Sequence, residues 1–138
     1  MIRTALRQAA ALLALALLPA VPSGISQLTI LRGADTKSGQ VEMATVQSWG
    51  DKVLWVDARA KSSFDKDHIP GAVPLNEDEW DALVPAFLDA WQPENPVVIY
   101  CDRDGCDASE AIARRLREEL QLDNVWVLKG GWRAWQQR

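Results

Sequence analysis

The chain has 138 residues, 48% of them hydrophobic and 25% charged, with a formal net charge of −4. That length supports one domain with a modest core, and the balance is ordinary for a soluble globular protein. No Lys/Arg cluster offers a nucleic-acid surface, so nucleic acid is excluded as a partner.

Arg3 and Arg7 precede an uncharged apolar run from Ala9 to Val21, broken only by Pro19. This pattern of a charged segment followed by a short apolar one reads as a secretory signal peptide over residues 1–23. The run is shorter than the roughly 20 apolar residues of a spanning helix, and an uncleaved N-terminal anchor is the alternative. Either way the domain is expected to be exported, as a periplasmic protein or one held at the inner membrane facing the periplasm. A membrane contact is expected only if the segment is retained. Residues 24–40 carry Gly, Ser, Thr and Asp and read as a linker with a short edge strand.

From residue 41 to 138 strands and helices alternate in one domain. Glu42 to Trp49 fits a short amphipathic helix stopped by Gly50. Val53-Leu54-Trp55-Val56 is a buried strand ending at Asp57, Lys61 to Lys66 a short helix, and Ala72-Val73-Pro74-Leu75 a short strand. Asn76 with Glu79 resembles a capping box. The helix behind it carries Trp80, Leu83, Val84, Phe87, Leu88 and Trp91 at helical spacing, with Pro85 expected to shorten or kink it. Pro96 to Tyr100 reads as a fully buried strand, followed by the loop Cys101-Asp102-Arg103-Asp104-Gly105-Cys106 and a helix opening at Asp107-Ala108-Ser109-Glu110. That helix places Ile112, Ala113, Leu116 and Leu120 on one face. Asn124 to Leu128 is the last strand, and Gly130-Gly131 turns the chain into a helix holding Trp132 and Trp135. Fully apolar strands alternating with helices indicate an α/β fold with a parallel sheet covered on both faces.

Cys101 is the candidate nucleophile. It stands at the carboxyl end of a buried strand, where open α/β sheets bind ligands, and below a helix N-terminus that favours the thiolate. Cys106 lies five positions on, around a turning loop. A disulfide between Cys101 and Cys106 and a free pair of thiols are both open in an exported protein, and two thiols this close can trap a persulfide or sulfenate as a disulfide. Two cysteines and one distant histidine do not make a zinc set, and no metal or cofactor is expected. Most of the seven Trp residues read as packing.

Four segments together resemble the rhodanese-like domain: Trp55-Val56-Asp57-Ala58-Arg59, Asp67-His68-Ile69-Pro70-Gly71-Ala72, Val98-Ile99-Tyr100-Cys101, and Val127-Leu128-Lys129-Gly130-Gly131-Trp132-Arg133-Ala134-Trp135. They occur in the family's order over roughly residues 41–137. The resemblance implies a three-layer sandwich around a parallel five-stranded central sheet, and sulfur transfer through a Cys101 persulfide. The partners it implies are a small sulfur-containing anion such as thiosulfate and a thiol or cyanide acceptor. The loop Asp102, Arg103, Asp104, Gly105, Cys106 and Asp107 would bind the substrate through its backbone N–H groups, with Gly105 permitting the turn. Asp57, Arg59, His68 and Lys129 would support the site: Asp57 and Arg59 by bracing the edge, His68 in its turn, and Lys129 by support or steering.

This loop departs from the family pattern. Ser109 falls eight positions after Cys101, further than in familiar sulfurtransferases, and Ala108 stands where an Arg is common. Asp102 and Asp104 oppose thiolate formation and anion approach, unless they point to solvent with Arg103 turned inward. A non-catalytic or redox-responsive binding module, using the Cys101/Cys106 loop to recognise a protein partner, is the second reading. Phosphatases of this fold need an Arg where this chain has Asp107, which argues against phosphate chemistry.

Overall fold

Short runs of Val, Ile, Leu and aromatic residues, each bounded by turn or polar residues, become the strands of one sheet. The structure, a computed structural model, describes residues 39–103 and 106–138, all within one compact unit. The expected leader over residues 1–23, and the linker as far as residue 38, lie outside the described residues. Among the described residues no helix is long and apolar enough to cross a membrane.

In chain order the elements are β1 (Gln40–Val41), α1 (Met43–Ser48), a 3-10 turn (Gly50–Lys52), β2 (Leu54–Asp57), α2 (Lys61–Lys66), β3 (Val73–Pro74), α3 (Trp80–Ala90), β4 (Val97–Tyr100), α4 (Asp107–Glu119), β5 (Val125–Leu128) and α5 (Gly131–Gln136). All strand pairs are parallel, in the order β1-β5-β4-β2-β3. The expected five-stranded parallel sheet is therefore present, and β1 is its edge strand. At the other edge Pro74 is tolerated in β3 because an edge strand leaves one side unpaired.

The two layers of helices bury different halves of the alternating strand residues. Val56, Val97, Ile99, Val125 and Val127 face α3 and α4, where Phe87, Ile112 and Leu116 are fully buried. Val98, Tyr100 and Leu128 face α1, α2 and α5, where Phe64, Trp132 and Trp135 pack. The central strand β4 is buried along its whole length, as a strand covered on both faces must be.

Two local expectations need correction. α3 continues through Pro85 as an 11-residue helix; Pro85 and Asp81, whose carbonyl loses its partner to the proline, are both on the exposed side. Asn76 does not cap that helix directly. Its Oδ1 accepts from the Glu79 N–H at 2.9 Å and its Nδ2 donates to the Glu79 carboxylate at 3.3 Å, so the pair holds a turn and the helix starts at Trp80.

The connections after β2 and β4 leave toward opposite faces, α2 on one and α4 on the other. Their ends are register partners, Asp57 opposite Tyr100. This is the point where the strand order reverses, and a crevice at the carboxyl edge follows from it.

Candidate active site

Cys101 follows β4 directly, 4% exposed, and Cys106 is the N-cap residue of the 13-residue α4. The two are joined by a disulfide, with their Cα atoms 6.1 Å apart, inside the span ordinary disulfides occupy. Each cysteine is anchored from outside the segment between them. The Cys101 carbonyl accepts the backbone N–H of Trp132 at 2.6 Å, and the Cys106 carbonyl accepts the hydroxyl of buried Ser109 at 3.0 Å.

The close approach of α5 to Cys101 depends on glycine. Gly131 is buried at φ 54°, and a Cβ there would collide with the Cys101 carbonyl oxygen and lie 3.1 Å from the Arg103 nitrogen. Gly130 before it has φ 74°. The Gly-Gly pair therefore does more than turn the chain, because it lets a backbone N–H reach the residue that carries the thiol.

Beside the cysteine lies a buried polar cluster. The Asp57 carboxylate, fully buried, accepts the Arg59 backbone N–H at 2.9 Å, Arg59 Nε at 2.9 Å and Arg59 Nη2 at 2.7 Å. It also accepts the Tyr100 hydroxyl at 2.7 Å, and that hydroxyl in turn accepts the Ile69 N–H at 3.2 Å. Arg59 Nη2 donates to the Asp67 carbonyl at 2.7 Å. Its guanidinium carbon stands 4.7 Å from the ring centre of Trp132 and 5.4 Å from that of Tyr100, distances at which ring faces attract a cation. Burial acts to lower the Arg59 pKa, but its hydrogen bonds to Asp57 and the nearby negative charges outweigh this and raise it, keeping the group charged. Burial is also the main cause that pushes the Tyr100 hydroxyl well above the ordinary tyrosine range.

Arg59 reaches the cysteine segment as well. Its Nη1 is 3.7 Å from the Asp102 carboxylate, whose side chain is 67% exposed. Asp102 thus points to solvent with a guanidinium behind it. Arg103 does not turn inward; it is exposed, and Arg59 supplies the cation that faces Asp102. Asp104 and Gly105 lie outside the described residues, and so does the expected Gly105 turn. Asp107 is exposed at the first position of α4.

His68 sits in the turn after α2. One ring nitrogen, Nδ1, is 2.8 Å from the Phe64 carbonyl, and the ring stacks on Phe64 at 3.9 Å between centres. The Lys129 ammonium donates to Glu42 at 2.8 Å, tying the end of β5 to the start of α1. Among the described residues, no group of three or more His, Cys, Asp or Glu is placed to hold a metal ion. A cleft of about 560 Å³ between α1, Trp55, the Pro70-Gly71 turn and Trp135 is lined by none of the predicted site residues.

Three residues of this site were not singled out from the sequence: Tyr100, Trp132 and Gly131. A tyrosine closing an otherwise aliphatic buried strand is itself a signal, because its hydroxyl must find a partner. Chemically, the edge holds the Cys101 sulfur, here in a disulfide, at a fixed position under a helix N-terminus, with the buried Arg59 cation nearby. Once reduced, such a thiol is suited to nucleophilic attack on sulfur.

The rhodanese-like domain profile matches residues 42–138. Solved structures share the fold at low identity. The BH2092 protein from Bacillus halodurans is 19% identical, with a TM-score of 0.57 over 71% of each chain. The rhodanese-like domain of the Alr3790 protein from Anabaena sp. is 22% identical, with a TM-score of 0.54 over 72% of this chain and 74% of that one. An EanB variant captured as a cysteine persulfide is 22% identical, with a TM-score of 0.50 over 65% of this chain and 24% of that one. On the profile match and this shared architecture, the chain belongs to the rhodanese-like domain family, a family of sulfur transfer.

Proposed function

We propose that this chain is an exported sulfurtransferase that carries sulfane sulfur on Cys101. The observation that carries the reading is the placement of Cys101 at the end of the central strand, under α4 and pinned by the Trp132 N–H. In the reduced protein the Cys101 thiolate attacks the outer sulfur of a donor such as thiosulfate. The donor's S–S bond breaks, sulfite leaves with the electron pair, and a persulfide remains on Cys101. A thiol or cyanide acceptor then attacks the terminal sulfur and the Cys101 thiolate departs. The persulfide in the EanB variant is the same kind of intermediate on the same fold. Export rests on the sequence of residues 1–23, and places the domain where disulfides persist.

The disulfide favours one second reading, a redox-responsive binding module that recognises a protein partner through the Cys101–Cys106 segment. A thiosulfate:cyanide assay with and without reductant separates the two. The sulfurtransferase gains activity on reduction, loses it in Cys101→Ser, and takes up an added sulfur on Cys101, read by mass spectrometry in Cys106→Ser, which lacks the second thiol. A fully reduced protein that neither turns over nor takes up sulfur sinks the enzymatic reading.

A further inference from the structure

We infer that Cys106 is a resolving thiol, so that the site does not only pass sulfur to an external acceptor but releases it as sulfide. The inference rests on the sulfur-transfer reading above and names the reductant class that reading leaves open. In the structure the sulfur of Cys106 is bonded to the sulfur that would carry the persulfide. Both residues are also held from outside the span that separates them, Cys101 by Trp132 and Cys106 by Ser109. Opening the disulfide therefore leaves two thiols facing each other on fixed backbone. A thiol held in this way competes well with any thiol in solution. Cys101 is 4% exposed, whereas Cys106 is partly open to solvent.

The steps balance. After thiosulfate has loaded Cys101 and sulfite has left, the Cys106 thiolate attacks the Cys101 Sγ. The bond between Sγ and the terminal sulfur breaks, and that sulfur leaves as hydrosulfide with the electron pair. The Cys101–Cys106 disulfide forms; the two cysteine sulfurs are oxidised and the sulfane sulfur is reduced. An external dithiol then attacks the more accessible Cys106 Sγ, expels the Cys101 thiolate and closes its own disulfide. The net reaction consumes thiosulfate and a dithiol and yields sulfite, hydrosulfide, a disulfide and a proton. The disulfide-bonded structure corresponds to the state after sulfide has left and before the dithiol acts.

The test uses the full chain, reduced, freed of reductant without oxygen and mixed with thiosulfate alone. Expected from wild type are sulfite and sulfide in equal amounts and a protein that ends as the Cys101–Cys106 disulfide. Expected from Cys106→Ser are sulfite, loss of sulfide release, and a protein that keeps the added sulfur on Cys101. A wild-type protein that retains its persulfide, or a Cys106→Ser protein that releases sulfide as fast as wild type, overturns this inference and leaves sulfur transfer standing. Sulfite from neither protein overturns both.

Discussion

The backbone N–H of Trp132 donates to the carbonyl of Cys101 at 2.6 Å, and this bond ties the last helix to the end of the central strand. It is made possible by Gly131, whose missing Cβ leaves room for that carbonyl. Because the constraint falls on the residue that bears the thiol, the C-terminal Gly-Gly turn and the reactive edge form one unit.

Gly131→Ala should therefore be costly twice. The left-handed φ of 54° costs a side-chain-bearing residue about 1–2 kcal/mol, and the new methyl meets rigid backbone at Cys101. The expected result is a Tm lower by roughly 10 °C for a domain of this size, together with loss of sulfur uptake. A variant that melts with wild type and loads sulfur normally would show that this contact is dispensable.

Much of this arrangement was legible from residue types. The strand ending in Asp57, the helix from Lys61 to Lys66 and the placement of Cys101 all follow from apolar runs and their polar stops. What the chain order hid was lateral. Asp57 and Tyr100 are 43 positions apart and become neighbours only because β2 pairs with β4 in one particular register. Periodicity carries no information about that pairing. For the same reason the cation expected from Arg103, next to the cysteine in sequence, comes instead from Arg59 across the crevice.

Arg59→Met should be among the most damaging single changes outside the hydrophobic core. It strands the fully buried Asp57 carboxylate with only the Tyr100 hydroxyl and one backbone N–H beside it. Breaking a buried pair from one side costs about 3–5 kcal/mol. The double variant Asp57→Asn/Arg59→Met should lose much less than the sum of the two singles, because neither uncompensated charge remains. Urea titration of the four proteins checks this, and additive losses would contradict it.

Tyr100 gives the protein an alkaline limit. Its folded-state pKa is raised, mainly by burial, so the folded chain holds the phenolic proton more tightly than the unfolded chain does. The stability linked to that proton is fully present below the ordinary tyrosine pKa of about 10 and is lost as pH rises through and above it. Unfolding midpoints in urea should fall across this range in wild type and fall less steeply in Tyr100→Phe. The variant itself should be weaker at neutral pH by about 1–3 kcal/mol, since the buried Ile69 N–H loses its acceptor. Equal pH slopes in the two proteins would remove Tyr100 as the cause.

The disulfide should contribute modestly to stability, because it closes a span of only five positions. Loop-closure entropy for so short a ring is about 2 kcal/mol. Oxidised protein should therefore unfold at a higher urea concentration than reduced protein, by a margin that Cys106→Ser abolishes. The small size of this effect matters for function: a bond that contributes little to the fold can open and close without unfolding the domain. Collapse of the folded state on reduction would assign the bond a structural role instead.

Asp102 should act on rate rather than on stability. Its carboxylate is exposed and 3.7 Å from Arg59 Nη1, adjacent in sequence to Cys101, which under the proposed sulfur transfer meets a dianionic donor. There it repels the incoming anion and partly neutralises the guanidinium behind it. Exposed charge interactions at such distances are worth about 0.2–1 kcal/mol, so Asp102→Asn should raise the rate constant for thiosulfate loading of the reduced protein by roughly 1.5- to 5-fold. The gain should shrink as salt is raised, since screening reaches exposed charges first, and Tm should not move. Asp102→Glu keeps the charge and should not show the gain. Stopped loading kinetics at low and high ionic strength read both features. A slower Asp102→Asn protein would mean instead that the carboxylate holds Arg59 in a position the donor requires.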